Sequence, residues 1–503
     1  MKYIFLAILI VLGAATLGVM SSYPENTTDK VVLYWVTDAN PARKAQIEGF
    51  YKWLIENGHV NEKGEPIVEL KVDTANRDNY KILIQGVSGI GGDVMDQYGG
   101  TGINLLSDIG MLEDVTEDAK ADGYDISQTY PAMKDQITFN DAQYAFPCNV
   151  AVNMLWVNNE ALEKYGQPIP PTRWTLEQFE EYGKAFVKAA NAQKTGNQQR
   201  AFYLNKLDPM LVYRSMGFVE FNETLTATQY LDPRFAEMLR LRYKWTYVDR
   251  ILPSAADMSS FSTQQGYGGP ETQLFYRGNF ALMQGARYSL ITLRKFDKAN
   301  NKQTKLSVSY PPYGHYPVTT IGSRCAVVYV AGKHKELAKL FLQYLASEEY
   351  NMQIVETADA LPPNPKYTKT EEFLRPKGYE NEWGTHELFA NAALNHATNH
   401  LISPYIHRTK LDRIETAAME AVMSDLLTPK EAGEQAQLRA MNEIRQNMEL
   451  DKNVKPELLA RYKQDLANQK IIDECKKQGK KIPLKLITNS FYRKYYQDMG
   501  MAE

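Results

Sequence analysis

The chain has 503 residues but only three cysteines, at 148, 325 and 475, an odd and sparse set that excludes a disulfide framework and leaves at most one pair to an oxidising compartment. With no cysteine ahead of Cys148, a lipid-accepting cleavage site near the amino terminus is also excluded. Charge of one sign is lacking too. A formal net charge of -3 gives no general attraction to nucleic acid or to anionic membrane. No internal repeat stands out. The glycine-rich "GVSGIGGD" lacks the lysine-serine/threonine ending of a phosphate loop and precedes a strand where such a loop follows one. No glycine-flanked serine nucleophile and no paired-carboxylate signature is present, so no enzyme class is indicated.

What is present is an ordinary globular composition, 44% hydrophobic and 23% charged, long enough for several domains. The 32 tyrosines are a somewhat high number, and each offers a flat apolar face with a hydroxyl. The first twenty residues, "MKYIFLAILIVLGAATLGVM", carry one lysine and a mostly apolar run. Residues 1–22 therefore read as an export signal or a membrane anchor, which puts the rest outside the cytoplasm.

Downstream, "VVLYWV", "IVELKVDT", "GDVMDQY" and "QYAFPCNVAVNMLWVN" read as strands separated by helical stretches such as "PARKAQIEGFYKWLIENG", opened by Pro41 and closed by Gly58. Strands alternating with helices predict a mostly parallel sheet covered on both faces. The next hundred residues are mainly helical, with Thr175 as the N-cap of "LEQFEEYGKAFVKAAN". In "YRGNFALMQGARY", Gly278 ends a helix, "FALM" is a short buried strand, and Gly285 ends it. Arg287 and Tyr288 then open the next helix where a strand's carboxyl end meets a crevice. His396 and His400, four apart, with His407 nearby, read as a polar helical surface rather than a metal site, because no further ligand follows at a suitable spacing. Residues 450–503 form a lysine-rich tail.

Five segments, "VVLYWVTDANPARKAQIEGF", "GGDVMDQYGGTGINLLSDIGMLEDVTE", "AFPCNVAVNMLWVNNEALEKYGQPIPPTRWTLEQFEEYGKAF", "FYRGNFALMQGARYSL" and "KHKELAKLFLQYLASEEYNMQ", together resemble the extracellular solute-binding proteins of ABC transporters, the family of the maltose-binding protein and other sugar receptors. The resemblance implies an α/β protein of the two-lobed type II periplasmic-binding-protein fold, its lobes built from discontinuous segments around a hinged cleft. It divides the chain into 30–147 plus 270–314 as lobe 1, 150–268 plus 322–448 as lobe 2, and 450–503 as an extension. "PCNVAVNMLWVN" and "SYPPYGHYPVTTIGSRCAVVYV" correspond to the crossings, with Gly314 and Gly322 as flexible points. "GNFALMQGARY" would return the chain to the first lobe and present a stacking residue.

Carried over residue by residue, Trp35 and Asp38 fall on the first strand-to-helix turn, Gln97 and Tyr98 at the end of "DVMDQY", Asn149 at the crossing, Asp208 on the second lobe, and Arg287 and Tyr288 after the returning strand. The family often has tryptophan where Tyr288 stands, and its maltodextrin-gripping charges have no consistent counterparts, which argues against maltose. The expected protein is a monomeric, non-enzymatic receptor without metal or cofactor. It captures a sugar outside the cytoplasmic membrane and passes it to an ABC permease, with no nucleic-acid partner. The rival readings are a membrane-tethered solute sensor and an extracytoplasmic glycoside hydrolase using Asp38 and Asp208.

Overall fold

Strand β1 (Val31–Val36) carries no charge, buries Leu33 and Trp35 on one face, and pairs in parallel with β2 (Val68–Asp73) and with β3 (Val94–Tyr98). In the computed structural model, which describes residues 30–74, 79–195, 199–261 and 269–503, these strands join a six-stranded sheet. After the small hairpin of β4 (Thr138–Phe139) and β5 (Ala142–Gln143), β6 (Ala145–Val152) brings the chain back to that sheet. A single residue, Asn153, separates β6 from β7 (Met154–Asn158), which belongs to a second, four-stranded sheet with β8 (Phe202–Leu204), β9 (Phe280–Gly285) and β10 (Leu306–Ser309). The chain then recrosses. Strand β11 (Thr319–Val328) lies between β3 and β6, antiparallel to both, and β12 (Ala397–Thr398) closes the edge.

This connectivity corrects the expected division of the chain. "FALM" is indeed a strand and Gly278 indeed takes a left-handed φ of 77°, but β9 pairs with β7 and β8, so it extends the second lobe instead of returning to the first. The strand that returns is β11, which sets Ala326 opposite Asp96 and Val327 opposite Met95. The helices Lys335–Ala346 and Glu348–Thr357 follow it into the first lobe. The physical reason is register. Two short apolar runs, "FALM" and "CAVV", are equally good central strands, and composition alone does not say which sheet each enters.

One face of the first sheet, with Leu33, Trp35, Val94 and Ala326, packs on Phe50, Phe341 and Leu345 from the covering helices. Its other face, with Val36, Met95, Cys325 and Val327, shares a continuous apolar cluster with Trp156, Phe280 and Met283 of the second sheet. The cluster runs through the helix His386–Asn395, whose Phe389 lies 5.1 Å from the Trp156 ring. At Thr175 capping proceeds as the sequence predicts. Thr175 and Gln178 form a reciprocal capping box, as do Thr428 and Glu431, each satisfying orphan helix N–H groups. Residues 1–22, read above as a signal or anchor, lie outside the described residues, among which no helix is long and apolar enough to cross a membrane.

Candidate functional site

Because β6 and β3 are both antiparallel to β11, they run in the same direction, and β6 leaves the first sheet at its carboxyl end directly into the second. There Met154, the first residue of β7, is paired with Gly285, the last residue of β9. The carboxyl ends of the parallel strands of both sheets therefore converge on the crossing at Asn153. That is the position where open α/β sheets hold ligands. The second crossing is pinned to the first by Asn153 Nδ2, which donates to Thr320 Oγ1 at 2.8 Å, and by the Thr319 hydroxyl on Asn153 O.

On the first lobe the rim is a charged pair with a tyrosine over it. Asp38 Oδ1 accepts from Arg43 Nε at 2.9 Å, and Oδ2 accepts from the Tyr98 hydroxyl at 2.5 Å. Arg43 Nη1 reaches back 3.1 Å to Asp359. Asp359 sits between Ala358 and Ala360, whose φ angles of 58° and 68° are left-handed, a conformation that costs a non-glycine residue about 1–3 kcal/mol and persists only where its surroundings hold it. Burial alone would raise the Asp38 carboxyl, but Arg43, joined by Arg324 and the Tyr98 hydroxyl, holds it well below the usual carboxylate range. Its folded-state pKa is depressed, so its contribution to stability is present above the unfolded value near 3.8 and is lost only as pH falls toward the folded one. A carboxyl-carbon NMR titration should therefore show Asp38 still ionised where ordinary aspartates have protonated. Arg43→Met should move its midpoint back up.

Beneath this rim Asp96 accepts from Trp35 Nε1 at 2.9 Å, from the Thr37 hydroxyl at 2.5 Å and from Arg324. Trp35 is 0% exposed and lies 4.9 Å from the Phe341 ring, so it is a core residue with no surface for a solute. Gln97 is also misplaced by the sequence reading. Successive strand residues face opposite sides of a sheet, so Tyr98 on the rim puts Gln97 beneath the other face, where it is buried against Gly102. Asn149 is a buried strand residue opposite Arg324, and its carbonyl accepts from the Ser323 hydroxyl.

On the second lobe Asp208 caps the helix Pro209–Ser215 by accepting from Met210 N–H at 2.9 Å, while its own N–H donates to Gln284 Oε1 at 2.8 Å. Tyr288, 37% exposed, opens the helix Ser289–Asn300 just past the end of β9. Its neighbour Arg287 is 0% exposed and turns away from the crevice, donating to His386 Nδ1 at 3.0 Å, Val355 O at 2.9 Å and Ala360 O at 3.0 Å. It is a buried tie to the carboxyl end of the helix Glu348–Thr357.

The structure thus brings Asp38 and Tyr98 together on one side of the convergence, sets Asp208 and Tyr288 on the other, and withdraws Trp35, Gln97, Asn149 and Arg287 into the interior. Arg43, Asp359 and Arg324 were missed. Only Arg43 had a signal, as the first basic residue after Asp38 in "DANPARK". The three histidines do not share a helix face, since His396 ends the helix His386–Asn395 and His407 precedes the helix Arg408–Met423. Among the described residues there is no group of three potential metal ligands.

Two α/β lobes, each with its own sheet and joined by crossing segments, are the architecture of a solute-binding protein. Residues 40–352 match the family of bacterial extracellular solute-binding proteins, and the chain belongs to it. The members of that family are binding proteins. Among solved structures, the chain is similar to an ABC substrate-binding protein from Listeria monocytogenes in complex with cycloalternan, at 19% identity and a TM-score of 0.64 over 83% of this chain and 98% of that one. A solute-binding protein from Thermotoga lettingae bound with α-D-tagatose shares 16% identity with a TM-score of 0.63 over 82% and 99% of the two chains. A maltose/maltodextrin-binding domain from Bdellovibrio bacteriovorus bound to maltotriose shares 16% with a TM-score of 0.61 over 82% and 100%. No curated protein sequence matches the chain.

Proposed function

We propose that the protein is the extracytoplasmic receptor of an ABC importer and that it captures a carbohydrate between the Asp38–Tyr98 rim and the Asp208–Tyr288 rim. The observation that carries this reading is the pair of partly exposed tyrosines, Tyr98 at 46% and Tyr288 at 37%, at strand ends that converge on one crossing from opposite lobes. Such rings stack on the C–H faces of a sugar, while an ionised carboxylate accepts from its hydroxyls in charge-assisted bonds. The sugars held by the similar structures support the solute class. Membership of the extracellular solute-binding family supports a permease partner and a location outside the cytoplasmic membrane.

Hydrolysis is disfavoured by the electrostatics of the rim. A glycosidase acid needs a raised pKa, whereas Arg43 drives Asp38 the other way. The other nominated carboxylate, Asp208, is already occupied as a helix cap.

The test is a thermal-shift and calorimetric panel of cycloalternan, tagatose, maltotriose and uncharged oligosaccharides of other linkages. For whichever sugar binds, Tyr288→Ala should weaken binding by about 1–3 kcal/mol, the range for stacking one aromatic ring on a flat ligand. The unliganded melting temperature should hardly move. If Tyr288→Ala instead unfolds the protein at unchanged affinity, Tyr288 is a packing residue. If reducing sugar is released from any oligosaccharide, the receptor reading gives way to the hydrolase.

A further inference from the structure

The C-terminal residues 450–503 lie beyond the family match, and the solved structures, covered almost end to end, account for only 82–84% of this chain. Yet this stretch is built into the second lobe. Glu223, 1% exposed, is its socket: its carbonyl accepts from Thr488 and Asn489 N–H at 3.0 and 2.9 Å, and its carboxylate accepts from Tyr496, Gln469 and Lys476.

From that socket the extension reaches two of the three segments by which the chain passes between lobes. The helix Ser490–Asp498 sits on the second crossing, where the Tyr316 hydroxyl donates to Asp498 Oδ2 at 2.6 Å and the Tyr316 ring meets Tyr495 edge-on at 5.1 Å. Tyr495 Oη is also 3.2 Å from His315 Nε2, and it lies so close to Gly217 that a Cβ there would be 2.6 Å away. The helix Pro456–Lys477 sits beside the third crossing, which leads out of β12. There the Tyr405 hydroxyl donates to Asp465 Oδ2 at 2.5 Å, and Tyr462 packs 4.8 Å from the Tyr405 ring.

We propose that the C-terminal extension is a brace on the hinge: by gripping the second crossing through Tyr495 and Asp498 and the third through Asp465 and Tyr462, it restricts the angle between the lobes. Hinge closure needs a few residues at element ends to change φ and ψ. Residues 313–318 and 399–407 are such positions, and side chains of the extension hold them on the second-lobe side. Removing the grip leaves each lobe folded and frees the crossings. The proposal rests on the two-lobed fold and not on the identity of the solute.

The experiment is read on the full chain without any sugar. Spin labels are placed on one exposed helix of each lobe through Lys44→Cys and Lys188→Cys, with Cys475→Ser, since Cys148 and Cys325 are buried. The inter-lobe distance distribution should shift and broaden in Tyr495→Ala and in the milder Tyr316→Phe/Asp498→Ala double variant. It should stay unchanged in Lys470→Ala, an exposed position on the outer face of the same extension. Circular dichroism and the melting curve identify a variant that has lost its fold; if Tyr495→Ala does so, the double variant decides. Distributions that coincide with the parent in a folded variant overturn the brace, whatever the sugar panel shows.

Discussion

Glu220→Ala is expected to lower the unfolding free energy by about 3–5 kcal/mol, the range for leaving a buried charge without its partner. Glu220 is fully buried and is shared by two buried arginines, with Arg214 Nη2 at 3.1 Å from Oε1 and Arg408 Nη1 at 3.1 Å from the same oxygen. Burial alone would raise the Glu220 carboxyl, but the two guanidinium groups hold it below its ordinary value, so it is ionised wherever the protein is folded near neutral pH. Removing it leaves the buried Arg214 without its carboxylate partner, while Arg408 keeps Asp412 and Glu415, each at 2.7 Å.

The loss should be global, because Arg214 also donates to Thr398 Oγ1 at 2.7 Å and to Asn399 O, tying the third crossing to the second lobe. Glu220→Gln keeps an acceptor but not the charge and should fall between parent and alanine. Lys120→Ala, which breaks an exposed pair with Glu117 at 2.7 Å, should leave the unfolding midpoint essentially unchanged. Urea unfolding at pH 7 measures all three. If Glu220→Ala matches the Lys120 control, the buried network does not hold the lobes.

The Glu220 cluster also marks what could not be read in the amino-acid sequence. Glu220, Arg214 and Arg408 look like three ordinary polar residues, and nothing near them in the chain says that β12 and the helix Pro209–Ser215 will meet over them. The same holds for Asp359 on Arg43, a pair 316 residues apart. What was legible was local: the N-cap at Thr175, the strand "FALM" and the turn at Gly278, each set by its own neighbours. Sheet membership was not legible, because it depends on which of two apolar strands, β9 or β11, finds its partners across the crossing. Which residue of an adjacent pair faces out was equally hidden: Gln97 and Tyr98 share a strand end, but the pleat sends only one of them to the rim.

Arg287 and Tyr288 are such a pair, and their substitutions should separate cleanly. Arg287→Met removes a guanidinium that satisfies Val355 O, Ala360 O and His386 Nδ1 and lies 4.7 Å over the Phe373 ring. Each buried acceptor left without a donor costs about 1–3 kcal/mol, so a loss of about 3–5 kcal/mol is expected with or without sugar. The arrangement depends on a neutral His386: burial pushes its pKa down to about 4, leaving Nδ1 free to accept from Arg287 Nε while Nε2 faces Glu382 Oε2 at 3.3 Å. Glu382 is held in turn by Arg294, at 2.8 and 2.7 Å. Methionine fills much of the same volume but cannot reach three acceptors, so cavity formation is a minor part of the effect. Tyr288→Ala, one residue later, should instead cost affinity at nearly unchanged stability. Chemical denaturation of the two variants, each with and without the sugar identified by the panel, gives four numbers that decide the matter. If Arg287→Met keeps the parent's midpoint and loses only sugar affinity, then Arg287 reaches the solute after all and its place in the interior is not its working position.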